Sequence, residues 1–254
     1  MIIFRRFLPF VGSAIILGLY LGLTFRPAEW VSWVIAIIVY AVVSSLFMLR
    51  WEWRGMEFVS TVFPLLLFLG SSTGVFMFIP SQLWRYALVA GIIIVHAVYM
   101  ENVFTLHYQS SKYTSLSLPR LTVMMNTISV FLLGTGLFAI DLVTPIQDWI
   151  IVVFLAIIFA ILLLQMVYQF SVYHKAQLQD IGIIVLLLSE IVWVIQFFPT
   201  AFFVNGALIA IFWYAFSSIY LQHERHALTR PVLLQYIIIS SMMIALVSAT
   251  AQWT

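Results

Sequence analysis

Glu190 stands in the run Val-Leu-Leu-Leu-Ser-Glu-Ile-Val-Trp-Val, residues 185–194, about midway along an apolar stretch. A carboxylate so placed has two chemistries open to it: it can take up and release a proton, or it can take part in binding a substrate. No Lys or Arg lies at that depth on any other apolar stretch. An acid there is expected to carry a proton and to turn toward other helices, because a charge facing hydrocarbon is costly. His96 is the one basic group at comparable depth. Counted at about 1.5 Å per residue from each outer turn, the two differ by only a few Å, so a Glu190–His96 pair is one expectation. The plainer expectation is a neutral acid hydrogen-bonded to a neighbouring Ser, Tyr or Trp, with Trp193 one turn away.

A second polar layer falls one to two turns from the opposite ends of their helices. It comprises Glu101 and Asn102, then Asn126, then Gln165 and Gln169. Gln165 and Gln169 share a helix face by their i, i+4 spacing, as do Thr122, Asn126 and Ser129 by theirs. Such faces could line a cytoplasm-facing pocket, with Arg120 at its mouth to attract an anion or a lipid headgroup. The alternative is hydrogen-bonded glue between helices.

Other chemistries lack their residues. The chain has no cysteine, which removes disulfides, thiolate metal sites and cysteine nucleophiles. His223-Glu-Arg-His226 is not the H-E-x-x-H order, and no third ligand accompanies it, so no metal is expected. No G-x-S-x-G, P-loop or dinucleotide-binding glycine pattern is present. Both lysines, Lys112 and Lys175, fall in connections, where neither serves an intramembrane Schiff base. No basic cluster exceeds Arg5–Arg6, so nucleic acid is not an expected partner. No cofactor is expected, and catalysis is the weakest of the readings.

The elements that must position these residues are membrane spans. The chain is 64% apolar and 8% charged, against about 25% charged in a soluble domain. Nine apolar stretches are predicted as helices over 7–24, 29–49, 58–79, 84–106, 121–143, 147–170, 180–198, 200–221 and 231–252. Each is about long enough to cross a hydrocarbon core of about 30 Å. Residues 180–221 are almost unbroken, and Pro199 followed by Asn205 marks the turn that divides them. Threaded alternately, the stretches put Arg5, Arg6, Arg50, Arg54, Lys112, Arg120, Lys175, Arg225 and Arg230 on one side and only Arg26 and Arg85 on the other. That bias orients the N-terminus to the cytoplasm and the C-terminus outward. Aromatic anchors agree: Trp30, Trp33, Trp84, Trp149 and Trp253 fall at the outer interface, Trp51 and Trp53 at the inner. The first stretch follows two arginines as a signal peptide would, but it is long and no small-residue cleavage site follows, so it reads as a retained helix.

Each outer turn of the first eight helices carries a proline, Pro27, Pro80, Pro145 or Pro199, with an aromatic three or four residues later. Four tandem helical hairpins plus one helix would give this pattern, and so would the ordinary preference of short outer turns for proline. Gly18–Gly22 and Gly70–Gly74 are G-x-x-x-G pairs, and Gly134 and Gly136 lie on the fifth helix; close helix packing or dimerisation are their two readings. The expectation is therefore an all-α integral membrane protein, one polytopic domain over 1–254 in a compact nine-helix bundle, in a cell membrane that its short connections suggest is a bacterial cytoplasmic one. Three functions stand open: a small carrier or proton-linked transporter with Glu190 in the bundle interior, a non-catalytic scaffold or accessory subunit, and an intramembrane lipid enzyme using Glu101 or His96. The expected partners are the bilayer, a lipid headgroup or small solute, and other copies or chains through helix contacts.

Overall fold

The computed structural model describes residues 2–49, 55–114, 116–144, 146–170 and 177–251. Arg50, Trp51, Trp53, Arg54, Pro145, Lys175 and Trp253, used above for topology, anchoring and the hairpin pattern, lie outside the described residues. Among the described residues the chain is all-helical, with α1 (Ile2–Phe25), α2 (Trp30–Met48), α3 (Met56–Phe78), α4 (Gln82–Tyr108), α5 (Ser117–Val143), α6 (Asp148–Gln169), α7 (Gln177–Ile195), α8 (Phe202–Glu224) and α9 (Arg230–Thr250). All nine are long and apolar enough to cross a membrane.

The predicted spans are recovered to within a few residues, and the differences have local causes. The helix α1 begins well before residue 7 and takes Arg5 and Arg6 into its first turns. The connection predicted over 107–120 shrinks to residues 109–116, because α4 runs on to Tyr108 and α5 starts at Ser117 with Pro119 in its first turn, where a missing N–H costs nothing. The long apolar run does divide at Pro199. Thr200 Oγ1 donates to Asn205 Oδ1 at 2.6 Å across the turn, so the asparagine that helped to mark the turn also closes it.

The helices form two compact units, residues 1–129 and 130–254, and α5 contributes to both. In the first unit α1 packs on α4 and α2, α2 on α3, and α3 on α4. Hydroxyl groups tie these neighbours together at several depths. Tyr20 Oη meets Thr73 Oγ1 at 2.9 Å, Tyr99 Oη donates to the Thr61 carbonyl at 2.7 Å, and Tyr108 Oη donates to the Met48 carbonyl at 2.8 Å. At the Arg5 end, the Arg5 guanidinium is sandwiched against Phe47 and Tyr108, each 5.2 Å from its centre, and donates to the Tyr108 hydroxyl.

In the second unit α6 packs on α7 and α8, α7 on α8, and α8 on α9. Its core is aromatic and aliphatic. Trp213 stacks on Phe159 at 5.4 Å, and both are fully buried. The backbones of α5 and α8 meet at Gly134 and Gly206. A Cβ on Gly206 would lie 2.7 Å from the Thr135 amide nitrogen and 2.9 Å from the Phe131 carbonyl oxygen. The G-x-x-x-G pairs do not play that part among the described residues: Gly18, Gly70 and Gly74 have open space where a Cβ would stand, and only Gly22 is closely covered, by the Trp33 ring. Spacing along one helix shows that a close approach is permitted; the partner helix decides whether it occurs.

Candidate functional site

Three helices of the second unit enclose a groove of about 600 Å³. From α7 and the turn after it come Leu187, Glu190, Ile191, Val194, Ile195 and Phe198, the stripe that i, i+3, i+4, i+7 spacing puts on one face. From α8 come Leu208, Phe212 and Phe216 at four-residue intervals, and from α9 come Ile244 and Ser248. Glu190 is thus the one ionisable group in an apolar, aromatic wall, and Ser248 is the other polar side chain. Among the described residues no Lys, Arg or His forms an ion pair with Glu190; the pairs present are Arg6–Glu101, Arg26–Glu29 and His107–Glu57.

Glu190 is exposed in this groove, not enclosed in the bundle interior as its depth suggested. The reason is azimuth. The buried stripe of α7 is Ile181, Leu188, Val192 and Ile195, and Glu190 follows Leu188 by two residues, about 200° around the helix. A helix apolar on all sides carries no pattern that reveals which side is buried, so depth was readable and direction was not. Trp193, offered as a hydrogen-bonding neighbour, instead sets its ring edge-on to Phe197 at 6.3 Å.

His96 has a different setting. It is fully buried at the centre of the first unit. Its Nδ1 lies 3.3 Å from Ser13 Oγ on α1, and its Nε2 lies 3.1 Å from Tyr40 Oη on α2. Ser13 Oγ donates its proton to the Pro9 carbonyl at 2.7 Å. With that proton committed, the consistent assignment is an Nδ1–H donating to Ser13 and an Nε2 accepting from Tyr40. Both ring nitrogens are therefore occupied inside the first unit and none remains for the expected Glu190 pair. Gly12 makes the clasp possible: a Cβ there would sit 3.0 Å from His96 Cε1 and collide with the Tyr40 hydroxyl. Ser13 beside an imidazole has the composition of a nucleophile–base pair, but the serine proton points to Pro9 and the histidine is closed to solvent, so the arrangement joins three helices and offers no entry to a substrate.

The residues of the expected polar layer are divided between the two units. Glu101 Oε1 receives Arg6 Nη1 at 2.7 Å in a partly exposed ion pair. Asn126 is fully buried in the first unit, and its amide has no hydrogen-bond partner among the described residues. Thr122 and Ser129 on the same face of α5 are buried as well. In the second unit Gln165 is buried and Gln169 half-buried, and neither is free of interactions. Arg120 is exposed in the first turn of α5.

Sequence reasoning missed Ser13, Tyr40 and the phenylalanines of the groove. For the clasp a usable signal existed. Counted from the helix ends at Phe25, Trp30 and Gln82, Ser13, Tyr40 and His96 lie at depths of about 15–21 Å, so three polar side chains on three stretches share a similar level. For Phe212 and Phe216 no signal existed, since the chain has 22 phenylalanines. No protein-family model, no curated protein and no solved structure matches this chain.

Proposed function

We propose that the chain is a multi-pass membrane protein, with its N-terminus on the cytoplasmic side of a cell membrane, that works as a small carrier, taking up a membrane-soluble molecule at Glu190. The orientation rests on the lopsided placement of basic residues. The carrier reading rests on one observation: an acid without an ion-pair partner among the described residues lines a groove of about 600 Å³ that is otherwise nearly all apolar. That volume is within the range of about 300–1,000 Å³ typical of small-molecule sites, and an apolar wall with one placed polar group is their usual chemistry. An ionisable group at membrane depth carries a cost that function is the ordinary reason to bear. Because the acid faces a lateral groove, entry is from the bilayer side.

The test is transport. Vesicles reconstituted with the native protein or with Glu190→Gln are given an imposed pH gradient and a set of radiolabelled lipophilic bases, acids and neutral compounds. Gradient-driven accumulation of at least one class, lost in the variant, is the expected result. Rates equal to protein-free vesicles for every class and both gradient directions would overturn the reading. Orientation is checked separately: a periplasm-dependent reporter should be silent in the 109–116 connection and active at residue 254.

A second reading, an accessory subunit, is favoured by α9. It packs on α8, has Ser240 as its one buried residue, and leaves Leu234, Ile237, Ile238, Met242, Met243 and Leu246 exposed. A second membrane protein would cover that face with a helix. Native mass spectrometry of the complex extracted in mild detergent decides it: a defined hetero-oligomer dispersed by Ile238→Ser and Met242→Ser supports the subunit role, and a bare monomer removes it.

A further inference from the structure

We propose that the α7–α8–α9 groove selects small lipophilic cations, organic molecules carrying one positive centre on an aromatic or alkyl body. The inference rests on the carrier reading and names its substrate class. Three observations converge on it. First, Glu190 is the one ionisable side chain lining the groove and it is an acid, and none of the residues lining the groove is a cation. In an apolar environment a carboxylate attracts positive charge far more strongly than in water, and it repels an anion equally. Second, Phe198, Phe212 and Phe216 line the same groove from two sides. The face of an aromatic ring carries partial negative charge and attracts an ammonium-type centre, which is how aromatic cages hold cations too substituted to donate hydrogen bonds. Third, apart from Ser248, the remaining wall, including Leu187, Ile191, Val194 and Ile244, offers only apolar contact. A hydrophilic cation would lose its hydration there without replacement, so the body of the ligand must itself be apolar.

The groove can be examined with three probes of one shape and three charges: tetraphenylphosphonium, tetraphenylmethane and tetraphenylborate. Binding of radiolabelled phosphonium to the purified full-length protein in detergent is measured directly, and the other two by displacement. The native protein should bind the phosphonium saturably, and tetraphenylborate should fail to displace it. Glu190→Gln, which keeps shape and exposure, should weaken phosphonium binding about tenfold or more, with little change for the neutral probe. Phe212→Leu, which keeps the apolar wall and removes a ring, should weaken it about two- to fivefold. Circular dichroism and size-exclusion profiles matching the native protein qualify each variant.

Neutral or anionic probes binding as tightly as the phosphonium would overturn the cation assignment and leave the groove as a general lipophile site. Phosphonium affinity unchanged by Glu190→Gln would overturn it in the same way. If none of the three probes binds the native protein, the carrier reading falls together with the cation assignment.

Discussion

The two units of this protein order their helices alike and use their polar residues in opposite ways. In the first, α2 packs on α3, α3 on α4, and α1 returns to α4; in the second, α6 packs on α7, α7 on α8, and α5 returns to α8 through Gly134 and Gly206. The first unit turns many polar side chains inward and ties several of them to neighbouring helices, with Ser13, Tyr40 and His96 forming the central clasp, while the Asn126 amide stays without a partner among the described residues. The second holds its centre by close backbone approach and by the Trp213–Phe159 stack, and presents its mid-helix acid to an outward groove. The difference teaches that a polar residue midway along an apolar helix is not one kind of signal. Where hydrogen-bond partners stand at the same level on adjacent helices, it is cement. Where the surrounding walls offer none, it is available to a ligand.

Six variants can break or sharpen this contrast, each measured by reversible unfolding in mixed micelles. The largest effect is expected at Gly206. Its would-be Cβ meets backbone atoms of α5 at 2.7 and 2.9 Å, which cannot rotate away. Gly206→Ala should therefore lower stability by about 1–3 kcal/mol, as overpacking does, and a neutral result would mean that α5 and α8 have room to separate.

Next comes the matching crossing of the first unit. Gly12→Ala meets only the ends of Tyr40 and His96, which can shift, so about 1 kcal/mol is expected, less than at Gly206. A loss equal to that of Gly206→Ala would show the two crossings to be equally rigid. His96→Leu removes the centre of the clasp and leaves two hydroxyl groups to find new partners, again costing about 1 kcal/mol, while Tyr40→Phe should cost about 0.6 kcal/mol, the usual worth of a hydrogen bond between membrane helices. If the double variant costs no more than His96→Leu alone, the two residues act as one unit.

The smallest effect is expected at Glu190. Glu190→Leu should change stability by no more than about 0.5 kcal/mol in either direction, because the side chain is exposed and has no ion pair among the described residues to lose. A loss above about 1 kcal/mol would return Glu190 to the class of His96 and erase the contrast between the units.

Much of this protein was legible without its fold. Nine apolar stretches, the proline that divides residues 180–221, and the depth of Glu190 and His96 follow from composition and from counting along the helix, since both are properties of a single segment. Direction around the helix axis is another matter. Soluble helices advertise their buried side by an apolar stripe, whereas helices apolar on every side do not, so nothing in α7 distinguished Leu188 from Glu190 as the inward residue. For the same reason the G-x-x-x-G pairs drew attention to Gly18 and Gly70, which have open space, while a close approach to a neighbouring helix backbone formed at Gly206, outside those pairs. The sequence by itself determined how many helices there are and at what level each polar group stands. Only the tertiary structure decided which helix faces meet, and with that the enclosure of His96 and the exposure of Glu190.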